Sequence, residues 1–399
     1  VSSRGATTAV EYETLTWDMP TEAGYGRHNV RAALRQSGEY RAAIPAEIAR
    51  LEISLPYRVL ADAEEASQEI ARFDAELGGE IAPFASVLLR SEAAASSKIE
   101  NLTASARAIA EAETLGHSGR RNASVIVANT EAMQAAVALA DRIDGDAILA
   151  MHAALMNASN PDIAGKWRTE LVWIGGGDFG PRGAEFIAPQ HGRVSGAIDD
   201  LIMFSGRDDI PVLPQIAIAH AQFETIHPFP DGNGRTGRVL IQAMLRNKRL
   251  TRQVPVPVSA GLLTDTDSYF HALNAYREGD PAPIVEKLAA ASALAVANGR
   301  HLVGDLQAIR KIWASNITAR RDSAVHRIAD MLIKRPVINA RLLTRELNIP
   351  MSNVYRYLDP LIKAGVIVEF TDQSRNRAWR APDVLSALDA FAERAGRRG

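Results

Sequence analysis

The sequence predicts a mainly α-helical protein with a β-hairpin flap on its helical body and a winged helix-turn-helix unit at its C-terminal end. Three observations carry this. Apolar residues recur at helical spacing through most of the chain, one turn-rich segment breaks that rule, and the last eighty or so residues change pattern again.

At 399 residues the chain exceeds the usual single-domain range, so several packed units are expected. We divide it into an arm (1–43), a helical region (44–120), a core (121–300) carrying the hairpin (168–188), a connecting helix (301–318) and the C-terminal unit (319–399). The first forty residues lack sustained periodicity and read as extended. Helical spacing covers 61–77, 83–99, 122–143, 146–156, 213–226, 235–246, 268–278 and 282–301. Residues 168–174 alternate like a strand and 184–187 form a second, with five glycines and a proline in the nine residues from Gly175 to Gly183 between them. Two strands alone are marginally stable, so this hairpin reads as a functional flap rather than a core sheet.

In the C-terminal unit, 323–334, 339–347 and 351–364 read as three amphipathic helices, with a tight Asn348-Ile349-Pro350 turn before the third. A strand at 366–370, a polar turn at 371–377 and a strand at 378–380 complete a wing. The formal net charge of −2 hides an asymmetry: from Ala319 onward 15 Lys and Arg face 9 Asp and Glu, whereas the rest of the chain carries 30 against 38. A basic tail on an acidic body points to a separate unit with its own partner. The 47% hydrophobic and 23% charged content is that of a globular protein, and no apolar run approaches the ~18 residues of a membrane span. The polar N-terminus lacks a signal-peptide layout, and the absence of cysteine rules out disulfides and thiolate metal sites; a cytoplasmic protein is expected.

The chemistry concentrates in twelve residues, His227-Pro-Phe-Pro-Asp-Gly-Asn-Gly-Arg-Thr-Gly-Arg238. Gly232 to Gly237 fits the dinucleotide fingerprint GxGxxG, but a helical segment precedes it where that fingerprint requires a strand. A phosphate site remains. Gly232, Asn233 and Gly234 can turn successive N–H groups inward as an anion nest, and a helix N-terminus follows at once. Arg235 and Arg238, three residues apart, can reach the same phosphates. Asp231 is a hard oxygen ligand suited to Mg²⁺ already held by phosphates, and His227 can accept a proton near neutral pH. Phe229 reads as a core anchor.

This run resembles the Fic motif HPFx(D/E)GNGRxxR at every defined position. The resemblance implies a Fic-type helical core and transfer of AMP from ATP to a Ser, Thr or Tyr hydroxyl of a target protein, self-modification included. It makes His227 the general base, Asp231 the Mg²⁺ ligand, Gly232, Asn233 and Gly234 the anion hole, and Arg235 and Arg238, flanking Thr236 and Gly237, the grip on the outer phosphates. The related Doc kinases have lysine where Gly234 stands, so Gly234 favours AMP transfer over phosphorylation. Gly165-Lys-Trp-Arg168 and the hairpin resemble the family's flap, with Val172, Trp173, Ile174 and Gly175 near nucleotide and target. Tyr269 and Phe270, followed by Glu278-Gly279-Asp280, resemble the adenine-side segment, with Phe270 replacing a second tyrosine and Arg277 standing where asparagine is frequent.

Ser96-Ser-Lys-Ile-Glu100-Asn101 is similar to the family's inhibitory motif (S/T)xxxE(G/N). Glu100 falls in the last turn of a predicted helix, where a carboxylate opposes the helix dipole, and Asn101 is a fair C-cap. By resemblance, Ser96, Glu100 and Asn101 form a brake in which Glu100 pairs with Arg238 and blocks the γ-phosphate. Removal of AMP by the same site stays open. So does DNA or protein docking through the tail, with Ser352, Asn353, Arg356, Arg375, Arg377 and Arg380 as candidate contacts, and so does a homodimer.

Overall fold

A computed structural model describes residues 7–17, 37–77, 81–116, 121–177, 180–371 and 377–396. Two strands come first, β1 (Glu11–Trp17) and β2 (Gly38–Ile44), followed by α1 (Tyr57–Glu76), α2 (Ile81–Ile99), α3 (Ala106–Leu115), α4 (Arg121–Ala138) and α5 (Gly145–Met156). The flap strands β3 (Trp173–Ile174) and β4 (Phe186–Ile187) precede α6 (Val194–Ser205), α7 (Val212–Ile226), α8 (Asn233–Asn247), α9 (Val258–Leu262), α10 (Thr266–Glu278) and the long α11 (Ala282–Asn316). The remainder is α12 (Ala324–Lys334), β5 (Val337–Asn339), α13 (Ala340–Leu347), α14 (Met351–Lys363), β6 (Val368–Glu369), β7 (Ala378–Arg380) and α15 (Pro382–Gly396). The chain is mainly helical with small antiparallel sheets, as expected.

Several boundaries differ from expectation. The arm is not merely extended: β1 and β2 pair antiparallel from Glu11↔Ile44 to Trp17↔Gly38. Their first strand is fastened to the end of α10, where Thr8 Oγ1 donates to the Tyr276 carbonyl at 2.9 Å and the Val10 N–H to the Arg277 carbonyl at 2.9 Å. The flap's first strand is only Trp173–Ile174, and the Arg168 N–H pairs with the Pro228 carbonyl instead of continuing the ladder. The connecting helix is the second half of α11, not a separate element. Helices α3, α6, α9 and α15 lie where periodicity had not assigned any.

The chain folds as two compact units, residues 1–64, 138–247 and 267–287 in one, and 65–137, 248–266 and 288–399 in the other. The first is built on α7, whose residues from Leu213 to Ile226 are all buried. Close approach of α8 to α7 requires Gly237, since a Cβ there would stand 2.4 Å from Glu224 Oε1 and 3.1 Å from a Phe223 ring carbon. Asp200 on α6 accepts the Ile48 and Ala49 N–H groups at 2.7 and 3.0 Å, which fixes the chain leaving β2.

In the second unit α2 is held by buried polar contacts. The Glu92 carboxylate accepts the Ser259 N–H at 2.8 Å and its hydroxyl at 2.6 Å, and Asn129 Nδ2 donates to the Ala93 carbonyl at 2.9 Å and Ser97 Oγ at 3.1 Å. The C-terminal helices follow the spacing read from the sequence. Asn339 caps α13 by accepting the Leu342 N–H at 2.8 Å, and Asn348 ends it in the left-handed region at φ 52°, the residue type that tolerates it. Strand β7 pairs antiparallel with both β5 and β6, and Trp379 at its centre is fully buried. Arg377 makes a two-pronged ion pair with Glu369 and lies over the Tyr355 and Trp379 rings, while Arg380 faces Phe370. Arg375 lies outside the described residues.

Candidate active site

Helix α7 stops because His227 adopts the left-handed conformation (φ 50°, ψ 60°) and Pro228 cannot prolong a helix. The His227 N–H still donates to the Phe223 carbonyl at 2.9 Å, and its Nδ1 faces the Glu224 carbonyl at 3.4 Å. This turn is bolted from below by Arg168, which is 3% exposed. Its Nε donates to the His227 carbonyl at 2.8 Å, Nη1 to the Glu170 carbonyl at 2.8 Å, and Nη2 to the carbonyls of Pro189 and, more weakly, Ile226. The Arg168 N–H itself donates to the Pro228 carbonyl at 3.0 Å. Burial pushes the guanidinium down to about 10, still protonated at neutral pH. A buried cation thus has its charge spread over carbonyl oxygens of the His227 turn and of both flap strand approaches.

Phe229 is the anchor expected. It is fully buried, stacks on His152 with ring centroids 3.6 Å apart and on Trp167 at 5.0 Å. Asn233 locks it from the other side, its Oδ1 accepting the Phe229 N–H at 2.9 Å and its Nδ2 donating to the Phe229 carbonyl at 2.8 Å. His152 Nδ1 accepts the Gly165 N–H at 3.1 Å, so its Nε2 carries the proton and donates to the Asp231 carbonyl at 3.0 Å. Burial pushes His152 down to about 4, and it holds the loop as a neutral ring.

Gly232 has φ 78°, and a Cβ would meet Met156 Sδ at 3.1 Å and Leu155 Cδ2 at 3.2 Å, so glycine is needed twice over. The α8 N-terminus opens immediately after it. Arg235 and Arg238 are 6% and 1% exposed, and Arg235 Nη2 lies 3.8 Å from Asp231 Oδ1. The Thr236 hydroxyl is buried without a hydrogen-bond partner among the described residues. Asp231 by contrast is largely exposed, with Oδ1 accepting the Gly232 N–H at 2.6 Å. Next to Arg238, His220 is pushed down to about 3, first by burial and then by the arginine's charge, and its Nε2 is 2.8 Å from the Tyr269 hydroxyl. Tyr269 is therefore committed to the interior, and Phe270 (47% exposed) is the ring of the pair that meets solvent.

The flap residues are brought to the same unit. The Glu185 N–H donates to the Ile174 carbonyl at 2.8 Å and the Ala188 N–H to the Val172 carbonyl at 3.1 Å. Gly175 (φ 73°) starts the tip, and Trp173 packs edge-on against Trp17 at 5.6 Å. Arg277, buried, lies 3.8 Å over the Phe186 ring and donates to the Glu224 carbonyl at 3.2 Å, so it fills the position read as a departure from the family pattern with a flap support. Ser96, Glu100 and Asn101 belong to the other unit, where Ser96 is buried, Glu100 exposed, and Asn101 left-handed at φ 59°. His152 and most of the carbonyl bonds of Arg168 have no signal in the sequence, since Asp231 on one side and Pro189, Ile226 and His227 on the other lie tens of residues away.

Residues 142–245 match the profile of the Fic/DOC family. The chain carries a Fic domain. Protein adenylyltransferase fic-1 of Caenorhabditis elegans is 31% identical over 150 residues, 37% of this chain and 27% of that protein. A probable protein adenylyltransferase of Aquifex aeolicus is 36% identical over 111 residues, 27% of this chain and 31% of that protein. The chain thus spans less than a third of the length of these relatives. A crystal structure of a Fic family protein from Desulfovibrio desulfuricans G20 superposes with a TM-score of 0.52 at 22% identity, covering 82% of this chain and 97% of that one, a likeness of fold. The Fic domain lies wholly within the first unit, and its profile takes in the His227 turn, the start of α8 and the flap.

Proposed function

We propose that the protein is an adenylyltransferase moving AMP from ATP onto a Ser, Thr or Tyr hydroxyl of a target protein. The observation that carries this reading is the single rigid turn from His227 to Arg238. A left-handed histidine, a left-handed Gly232 and two buried arginines at a helix N-terminus come together there, and His152, Asn233 and Arg168 hold the backbone at Asp231, Phe229 and His227. In this reading the target oxygen bonds to the α-phosphorus, the bond to the bridging oxygen breaks, and pyrophosphate leaves. His227 takes the hydroxyl proton. With Nδ1 turned to the Glu224 carbonyl, the accepting nitrogen is Nε2. The N–H groups at the start of α8 and the two guanidiniums balance the phosphate charge without reorganising during reaction.

Asp231 fits a Mg²⁺ ligand, because its carboxylate faces solvent with Oδ2 uncommitted among the described residues. Among the described residues no three His, Asp or Glu side chains cluster to hold a metal, so its other ligands would be phosphate oxygens and water. When bound, the ion neutralises charge on the α- and β-phosphates. The Glu100 brake on Arg238 belongs to this same reading, as does docking of the target's extended backbone along the flap edge. The test is incubation of wild type, Glu100→Gly and His227→Ala with α-labelled ATP and cell lysate. Labelled protein bands should strengthen in the first variant and vanish in the second. Bands of equal strength in wild type and His227→Ala would overturn the assignment.

A second reading concerns the tail, whose strand order β5-β7-β6 behind three helices supports a winged helix-turn-helix. Exposed Ser352 and Arg356 favour DNA contact there, whereas Arg377 is neutralised by Glu369. A mobility shift of the full chain on duplex DNA that weakens with salt supports this reading, and no shift at low salt removes it.

A further inference from the structure

Helix α2 ends in a double closure. The Leu102 N–H donates to the Ser97 carbonyl and the Asn101 N–H to the Lys98 carbonyl, both at 3.0 Å, around a left-handed Asn101. Glu100 is the residue this closure presents. Within the same unit, and sharing the Leu102 side chain as part of its wall, is a cavity of about 340 Å³ bounded by α2, α3 and α15. Its walls are mostly apolar, with Ala94, Ala95, Ile109, Ile126 and Phe391 prominent. That size falls in the range of small-molecule sites, of the order of 300–1,000 Å³.

The polar groups on its rim are mostly spent. Asp389 accepts the Ala106 N–H at 3.0 Å, and Arg90 is engaged by Glu113 at 3.1 Å and by the Lys334 carbonyl at 2.8 Å. Lys98 differs: the residue is exposed, its Nζ lies beside Gly396 in the last turn of α15, and it makes no hydrogen bond or ion pair among the described residues. A carboxylate head group would add a charge-assisted contact to that cation which an uncharged ligand cannot make, and a small inorganic anion would leave the alanine walls unfilled.

We propose that this cavity binds a small amphipathic carboxylate, its chain among the α2, α3 and α15 side chains and its head group on Lys98, and that occupancy strengthens the Glu100 brake. The regulatory half rests on the reading of Glu100 given above. A ligand that binds the packed end of α2 stabilises that form over any in which the closure opens. Glu100, between Lys98 and Leu102, is then held where it inhibits.

Octanoate is the probe, with octanol as its uncharged counterpart, each titrated calorimetrically into the full chain. Octanoate should bind saturably and raise Tm. Lys98→Met should weaken octanoate roughly tenfold and leave octanol unchanged. Ala94→Phe, or the smaller Ala94→Leu should the first fail to fold, should remove binding of both by filling the cavity. AMP transfer by wild type should fall in octanoate, while transfer by Glu100→Gly should not. Absence of saturable octanoate binding, or wild-type binding by a folded Ala94 variant, overturns the site. Octanoate inhibiting wild type and Glu100→Gly alike overturns the link to the brake. If neither protein transfers AMP, the reading of function fails, and the calorimetry still decides the site.

Discussion

The guanidinium of Arg168 donates to the backbone carbonyl of His227 at 2.8 Å, and the Arg168 N–H donates to the next carbonyl, that of Pro228, at 3.0 Å. A flap residue and the residue proposed as general base are thereby one mechanical piece. The flap approach cannot shift without moving the turn that aims the imidazole.

Arg168→Lys tests that coupling. Lysine keeps the charge but not the planar fork, so some of the four carbonyls lose their donor, at about 1–3 kcal/mol for each buried one. Displacement of His227 should lower kcat by roughly 10–100-fold, with ATP affinity changed much less. A fallen Tm with unchanged kcat would make Arg168 a structural bolt only.

Gly232→Ala should remove transfer by a different route. The new methyl would sit at φ 78° and press on Met156 and Leu155, so the nest must open. ATP affinity is expected to fall together with activity, and Tm to drop by the few degrees that about 1–2 kcal/mol represents. Calorimetry with ATP separates this from His227→Ala, which should bind ATP normally.

The twelve-residue candidate site is legible in the sequence because its residues are contiguous, and helix breakers, glycines and arginines there need no tertiary context to be read. What holds it was not legible. His152 sits in an apolar helical pattern and looks like core, and only the fold shows it stacked on Phe229 and bonded to the Asp231 carbonyl. The β1–β2 pairing was hidden because its strands are separated by twenty residues with no tight-turn signature, and its edge is set by Trp17 meeting Trp173, a contact between distant segments.

Acid stability follows from the two neutral histidines. His152 at about 4 and His220 at about 3 both lie below the ordinary 6.5, so the unfolded chain binds protons that the folded chain does not. Their contribution is fully present above about pH 6.5 and is lost as pH falls from there towards 4, with a limiting slope on the order of 1.4 kcal/mol per pH unit per histidine. Denaturant midpoints measured between pH 7 and 4 should fall accordingly, and His152→Phe, which keeps a ring on Phe229, should flatten the slope. An equally steep fall in that variant would place the titrating groups elsewhere.

The brake gives the most discriminating test of the proposed function. If Glu100 occupies Arg238, removing its charge frees that guanidinium for the γ-phosphate and lets the α-phosphate align for in-line attack. Glu100 is exposed at the closing turn of α2, and a tethered carboxylate competes with a phosphate at high effective concentration. Glu100→Gly should therefore raise AMP transfer and self-modification. Glycine also loosens the helix end by about 0.5–1 kcal/mol, so Glu100→Gln, which keeps the side-chain length and the Ser97 and Lys98 closure, separates charge from flexibility. Both variants should be activated if the carboxylate is the brake. Arg238→Ala should not be activated, and combined with Glu100→Gly it should erase the gain, since the gain depends on the freed arginine. Measured initial rates decide the matter. Activation of Glu100→Gly without activation of Glu100→Gln would assign the effect to the loosened helix end and not to an ion pair with Arg238.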